Sequence, residues 1–293
     1  MARQVYQAII DGILGGGVYA LMAAGLTLIF GVMDIINIAQ GMFVVLAAYL
    51  SYVLSVHLHV DLFIGLLVTV PAMFVLGVAI QWAFMGRLRG RERTSMSLLA
   101  SYAVLIIIEG ALYWIFGPDY VQLRGWYINS SVHVLGFYLP YIYLFGFALA
   151  VVLIAALFVT LYRTRFGRSL RATMQDSMAA RLIGIDVNRV AALTFGIGVA
   201  VTAAGGMVFG ATSAFNPNSG YDLISRLLAI IILGGLGSIG GALVAAIFMT
   251  TVEAIVDVVW SPNWAVVVFY AALVVVLTIR PIGLFGRQPA RAQ

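Results

Sequence analysis

The sequence predicts an all-α protein, a polytopic bundle of about eight membrane-crossing helices, with nine as the alternative and some helices broken. Three observations predict it. Of 293 residues, 63% are hydrophobic and only 9% are charged, against about 45–50% apolar and about 25% charged in an ordinary soluble domain. The apolar residues gather in runs close to the ~20 residues that a helix needs to cross a bilayer. The 31 glycines suit helices packed in lipid, where small residues let backbones approach.

The runs follow in order. The first spans 9–32 and leads into the more polar MDIINIAQG at 33–41. The second, 42–56, ends at HLHVD, and the third spans 62–85. Arg87, Arg89, Arg91 and Arg93 then crowd one short loop. The fourth run, 98–116, opens into a polar segment, 117–140, before the fifth at 141–162. The longest polar stretch, 163–189, carries six arginines. A sixth run, 190–215, turns at NPNSG, and 223–233, the glycine-rich 234–241, 242–259 and 264–279 complete the series. Positive charge marks the cytoplasmic side. The loop 86–94, the stretch 163–189 and the C-terminal tail hold 13 of the 16 arginines, so all three are expected inside and 117–140 outside. Arg3 alone does not decide the side of the N-terminus, and 33–41 reads either as a loop or as a break within the membrane.

Composition excludes several functions. There is no cysteine, so thiolate chemistry and disulfides are out. All 16 basic residues are arginine; without lysine the chain has no Walker A lysine and is no P-loop ATPase. The net charge of +5 and pI near 9.6 do not indicate nucleic acid, because the arginines lie in the gaps between apolar runs. No cleavable signal peptide is evident. Gly235, Gly237 and Gly240 spell G-x-G-x-x-G, but after an apolar span this reads as a tight turn with close helix packing. Gly206 and Gly210 have the same packing meaning. His57, His59 and Asp61 read as a turn before they read as a metal site, and Asn129-Ser-Ser is a chance-level sequon. No catalytic site, cofactor or metal is expected, and the chain is expected not to be an enzyme.

Two features carry chemistry. From Ser169, Leu170, Met174, Met178 and Leu182 recur four apart, as on a short amphipathic helix. Exposed apolar residues on such a helix imply either a partner surface or a membrane interface. Polar groups also interrupt the apolar spans: Asp34, Asn37, Gln40, Glu109, Arg226 and Glu253, with Asn216 at a turn. Charges at the bilayer centre cost roughly 2.5–3.5 kcal/mol on insertion scales, so they face the bundle interior, where they pair or line a path. Asn37 and Gln40 beside Gly31 and Gly41 fit a broken helix exposing backbone to a polar solute. Glu109 and Glu253 are either helix–helix hydrogen bonds or proton relays of a stand-alone secondary transporter or channel.

Five blocks in order then carry a resemblance: GGGVYALMAAGLTLIFGVMDIINIAQG, RTRFGRSLRATMQDSMAARLIGIDVNRVAALTFGIG, NPNSG, LGGLGSIGGA and RPIGLFG. Over nearly its whole length the chain resembles the LivH/LivM-type permeases of branched-chain amino-acid ATP-binding-cassette importers, and within them the LivH-like half. The resemblance implies one transmembrane permease domain over 1–293, pairing with a second related permease, two cytoplasmic ATPase subunits and an extracytoplasmic solute-binding protein, in lipid of the bacterial inner membrane. It makes 163–189 the ATPase-coupling segment, with Arg171, Met174, Asp176, Ala179, Ala180, Gly184 and Ile185 at the contact. There MAARLIG matches E-A-A-x-x-x-G except for Met178 in place of glutamate. NIAQG stands where many relatives read N-F-A-H-G, so Gln40 keeps polarity but does not titrate. The expected path passes Asn37, Gln40, Asn216 and Arg226, and alternating access is driven by the partner ATPases.

Overall fold

The computed structural model describes residues 2–88, 93–128, 130–134 and 136–286. Arg89, Arg91, Asn129, Arg287 and Arg291 lie outside them. Eleven α-helices make up the described chain: α1 (Ala2–Met33), α2 (Gln40–His57), α3 (Leu62–Ala83), α4 (Arg93–Phe116), α5 (Tyr141–Arg163), α6 (Arg165–Gln175), α7 (Ser177–Leu182), α8 (Val187–Thr212), α9 (Ser219–Gly234), α10 (Ile239–Val259) and α11 (Pro262–Ile279). Eight of them are long and apolar enough to cross a membrane, and the 16-residue α9 is not among these. The protein is a multi-pass membrane protein. Between α4 and α5 a small antiparallel hairpin pairs β1 (Ser131–Val134) with β2 (Phe137–Pro140), Val132 opposite Leu139. The sequence gives little sign of it, because four-residue strands leave too short an alternation to separate from polar loop.

Side-chain caps define five of the helix starts. Asp61 accepts from Phe63 N–H, Thr164 from Gly167, Asp186 from Arg189 and Ser238 from Gly241. Each supplies an acceptor to an N–H that has no partner inside the helix. The stretch expected as one amphipathic helix from Ser169 is two helices. Asp176 adopts an extended backbone, ends α6 and caps α7 by accepting from Met178 and Ala179. The four-residue stripe is thereby split: Leu170 is buried, whereas Met178 and Leu182 point outward.

The bundle is organised round α1, which packs against α5, α8, α9 and α10. Leu21, Met22, Leu26 and Ile29 on it are fully buried. The second organising helix, α8, lies against α1, α2 and α3, and Gly206 on it lets the backbone of Val44 approach closely. Orientation follows from the two ends of α1. At its start Arg3 donates to the carbonyl of Gly136, and Gln7 exchanges hydrogen bonds with the backbone of Tyr138. At its end Gly31 meets Met174 of α6 and Gly237. The N-terminus therefore shares the hairpin side, opposite the arginine-rich side, a point the sequence leaves open. On the hairpin side Tyr127 donates to Asp61. Burial pushes the Tyr127 phenol above its ordinary range, and the neighbouring carboxylate adds to the shift.

Candidate translocation path and coupling surface

The chain between α1 and α2 is a true break. Asp34 takes a left-handed backbone (φ 52°) that ends α1, a conformation aspartate tolerates better than most residues. The next residues run without regular structure to Gln40. Ser101 of α4 fixes this strand of chain, accepting from Ile38 N–H and donating to the carbonyl of Leu98. Asn37 donates to Gln40, Gln40 donates to Thr202 of α8, and Thr202 donates to the carbonyl of Gly198. All three side chains are buried. Asn37 Oδ1 is left without a hydrogen-bond partner.

A second break lies between α8 and α9. Asn216 accepts from Ser219, whose hydroxyl also receives Asn216 N–H. The two breaks meet, because a Cβ on Gly41 would overlap the Gly220 carbonyl oxygen and lie 2.7 Å from Ile224 N. Only glycine permits that approach between the starts of α2 and α9. The structure thus brings Gln40 and Asn216, one at each break, into one closely packed junction of helix starts.

The open space lies next to it. A cavity of about 950 Å³ is lined by the first half of α1, the start of α9, the end of α10 and α11. Its wall carries Asp11, Asp222, Glu253 and Asp257 against the single guanidinium of Arg226. Arg226 Nη1 donates to both carboxylate oxygens of Glu253, at 2.7 and 2.6 Å, and the guanidinium sits 5.4 Å above the ring of Phe269. Of the four path residues expected from sequence, Arg226 lines this cavity and Asn37, Gln40 and Asn216 do not. Tyr19, Asp222 and Glu253 line it as well. Glu253 was singled out from sequence as an intramembrane charge, whereas the signal for the other two was weak, since Tyr19 is one aromatic in an apolar run and Asp222 stands outside the blocks that carry the resemblance. The other intramembrane carboxylate, Glu109 of α4, accepts from the hydroxyl of Tyr221 at 2.7 Å.

On the arginine-rich side the residues expected to touch an ATPase divide into two groups. Arg171 donates to the carbonyl of Leu161 and stacks over Tyr162. Asp176 caps α7, Ala180 is buried, and Ile185 N–H bonds to the Ala180 carbonyl. Gly184 ends the turn at φ +86°. Arg171, Ala180 and Ile185 support the surface from beneath, whereas Asp176 and Gly184 are themselves exposed. Met174 and Ala179 are on it, and so are three residues outside that set: Met178, Leu182 and Ile183, 76%, 85% and 74% exposed.

Residues 8–277 match the family described as branched-chain amino acid transport system permease component. The chain belongs to this permease family. Several relatives align over almost the full length of both partners. One is the high-affinity branched-chain amino acid transport system permease protein BraD of Pseudomonas aeruginosa, 26% identical over 96% of this chain and 95% of the relative. Another is LivH of Escherichia coli K12, 29% identical over the same shares. LivH of Methanocaldococcus jannaschii is 23% identical, covering 95% of this chain and 92% of its own. In this permease the described elements are therefore those of a transport subunit. The breaks at 34–39 and 213–218 and the turn at 235–238 fall inside the matched range.

Proposed function

We propose that this permease imports branched-chain amino acids or closely related amino-acid-like solutes across the bacterial inner membrane, by alternating access driven by two separate cytoplasmic ATPase subunits. A second, related permease and an extracytoplasmic solute-binding protein complete the machine. The single observation that carries the reading is the exposed apolar tip made by Met178, Leu182 and Ile183 on the arginine-rich side. An apolar tip held rigidly by a cap, a buried alanine and a left-handed glycine is a surface built to be covered. It stands on α6, whose Met174 touches the end of α1, so a push on the tip reaches the helix that lines the cavity. Solute received on the hairpin side would enter that cavity beside Arg226 and pass the half-helix junction at Asn37, Gln40 and Asn216 when the bundle switches.

Leu182→Glu and Met178→Glu test the reading. Both positions are exposed, so the fold is left intact. Co-purification of the ATPases and ATP-dependent uptake of leucine into proteoliposomes should each fall at least ~10-fold. Unchanged association and uptake in both variants would refute the coupling role. Uptake that persists without ATP and collapses with the proton gradient would instead favour a stand-alone transporter.

A further inference from the structure

The α5 helix turns one continuous face to lipid. Phe145, Ala148, Val152, Ala155, Val159 and Tyr162 are exposed on it, three or four apart, the spacing of a single stripe on a helix. At 23 residues the helix is about 34 Å long, against a hydrocarbon core of ~30 Å. The last turn of the stripe therefore reaches the headgroups, and it does so on the arginine-rich side. There the apolar residues give way to Tyr162 and Arg163. The chain bends at Thr164 and enters α6, which buries Gly167, Leu170 and Thr173. Arg168 and Arg171, three apart, stand on one flank of α6. Arg171 reaches back to α5: its guanidinium lies 5.2 Å from the centre of the Tyr162 ring and donates to the Leu161 carbonyl. This elbow carries cations alone. Arg163, Arg165 and Arg168 are exposed and Arg171 is half-buried, and among the described residues none of the four has an ion pair. The sequence holds no acidic residue between Asp119 and Asp176, and the Asp176 carboxylate is taken by the cap of α7. Four like charges on neighbouring turns repel one another, so the elbow calls for an anion from outside the chain.

We propose that the elbow of α5 and α6 binds the phosphate headgroup of an anionic phospholipid, with Arg163, Arg168 and Arg171 as donors and the α5 stripe along the acyl chains. Arginine suits the task, because its planar fork offers two parallel hydrogen bonds to one phosphate. Basic groups just outside the hydrocarbon are drawn to the anionic lipids of the cytoplasmic leaflet. The stripe decides the source of the phosphate. A free phosphate would meet the guanidinium groups alone, whereas a lipid also lays its chains on Val152 and Val159, which are continuous with them. Neutralised by that headgroup, the elbow is held at one angle. It is α6 that sets Met174 against Gly31, so the charge of the leaflet governs how firmly α6 meets the end of α1. The inference goes beyond the importer reading and does not depend on it.

The permease, purified with whatever subunits accompany it, is placed in phosphatidylcholine nanodiscs that carry a trace of phosphatidylglycerol with a photoactivatable acyl chain. A photoactivatable phosphatidylcholine serves for comparison, and labelled peptides are located by mass spectrometry. The expected result is labelling of 152–162 by the anionic probe well above that by the zwitterionic one. Arg163→Gln and Arg168→Gln, both at exposed positions that leave the fold intact, should each lower this excess roughly 5-fold, the factor for one basic residue at an anionic membrane surface. Arg181→Gln, at an exposed arginine of α7, should leave it unchanged. Wild type should also melt at a higher temperature in phosphatidylglycerol nanodiscs than in phosphatidylcholine, because a lipid that binds the folded state stabilises it, and Arg163→Gln with Arg168→Gln should lose that gain. Equal labelling by the two probes, or an equal loss in Arg181→Gln, overturns the site. Displacement of the anionic probe by inorganic phosphate overturns lipid as the source. Unchanged labelling with lower recovery of an accompanying subunit in the Arg163 and Arg168 variants makes the cluster a protein contact and overturns the proposal. None of these outcomes touches the importer reading, and failure of ATP-dependent leucine uptake with the labelling intact would remove that reading and leave this site standing.

Discussion

The ion pair between Arg226 and Glu253 offers the sharpest energetic test of the cavity wall. The two side chains are 23% and 19% exposed, and one guanidinium nitrogen holds both carboxylate oxygens. An exposed pair would contribute only about 0–1 kcal/mol. Removing one partner of a buried pair costs about 3–5 kcal/mol, because a charge is left uncompensated. With about four-fifths of each side chain covered, the lower end applies, about 3 kcal/mol for Glu253→Ala. Two lost charge-assisted hydrogen bonds at about 1.5 kcal/mol each lead to the same figure. At roughly 2–4 °C per kcal/mol for a chain of this size, the melting temperature should drop by about 6–12 °C. The paired replacement Arg226→Met with Glu253→Leu leaves no orphan charge and should recover most of that loss. Melting curves in lipid nanodiscs for wild type, both single variants and the double variant form the cycle. A coupling energy above about 1.5 kcal/mol is expected. Additive losses, with coupling below about 0.5 kcal/mol, would refute a cavity wall held by this pair.

Three other outcomes follow from the geometry. Gly41→Ala places a methyl group on the Gly220 carbonyl and should cost about 1–3 kcal/mol by overpacking, read as a lower melting temperature and a loss of monodisperse protein on size exclusion. Gln40→Leu strips the buried Asn37 amide of its acceptor and should destabilise by about 1–3 kcal/mol, while Gln40→Glu, which keeps an acceptor, should bind Asn37 still and lower stability mainly above the pKa of the new carboxyl. The raised Tyr127 phenol means the folded state holds a proton that the unfolded state releases from pH ~10 upward. Stability should therefore be level below pH ~10 and fall above it, and Tyr127→Phe should flatten that fall in a pH series of melting curves.

The helical bundle was legible because lipid leaves a long, uninterrupted signature: runs of about 20 apolar residues and arginines in the gaps. The break at Asn37 and Gln40 was legible too, since polar groups beside glycines contradict a plain span. What could not be read was which polar groups share a space. Asn37, Gln40 and Asn216 looked like path residues, and the fold gathers Gln40 and Asn216 in a tight junction, while the cavity belongs to Arg226, Glu253 and Asp222. That outcome depends on how α1, α9, α10 and α11 pack, a long-range matter with no local trace. The stretch 163–189 shows the same limit at short range. A spacing of four suggested one continuous helix, but Asp176 is better at starting a helix than at continuing one, and its carboxylate took the cap. The side of the N-terminus, undecided by a single arginine, is fixed by Arg3 and Gln7 reaching the hairpin backbone.

At 32 residues, α1 is about 48 Å from end to end, well beyond the ~30 Å hydrocarbon core. One extremity is stitched to the hairpin and the other leans on Met174. A stiff rod caught at both extremities converts rotation into travel: a pivot of 5° about one end sweeps the other through roughly 4 Å at that length. Any rotation of α1 as a body therefore moves its Met174 end relative to the hairpin by geometry alone.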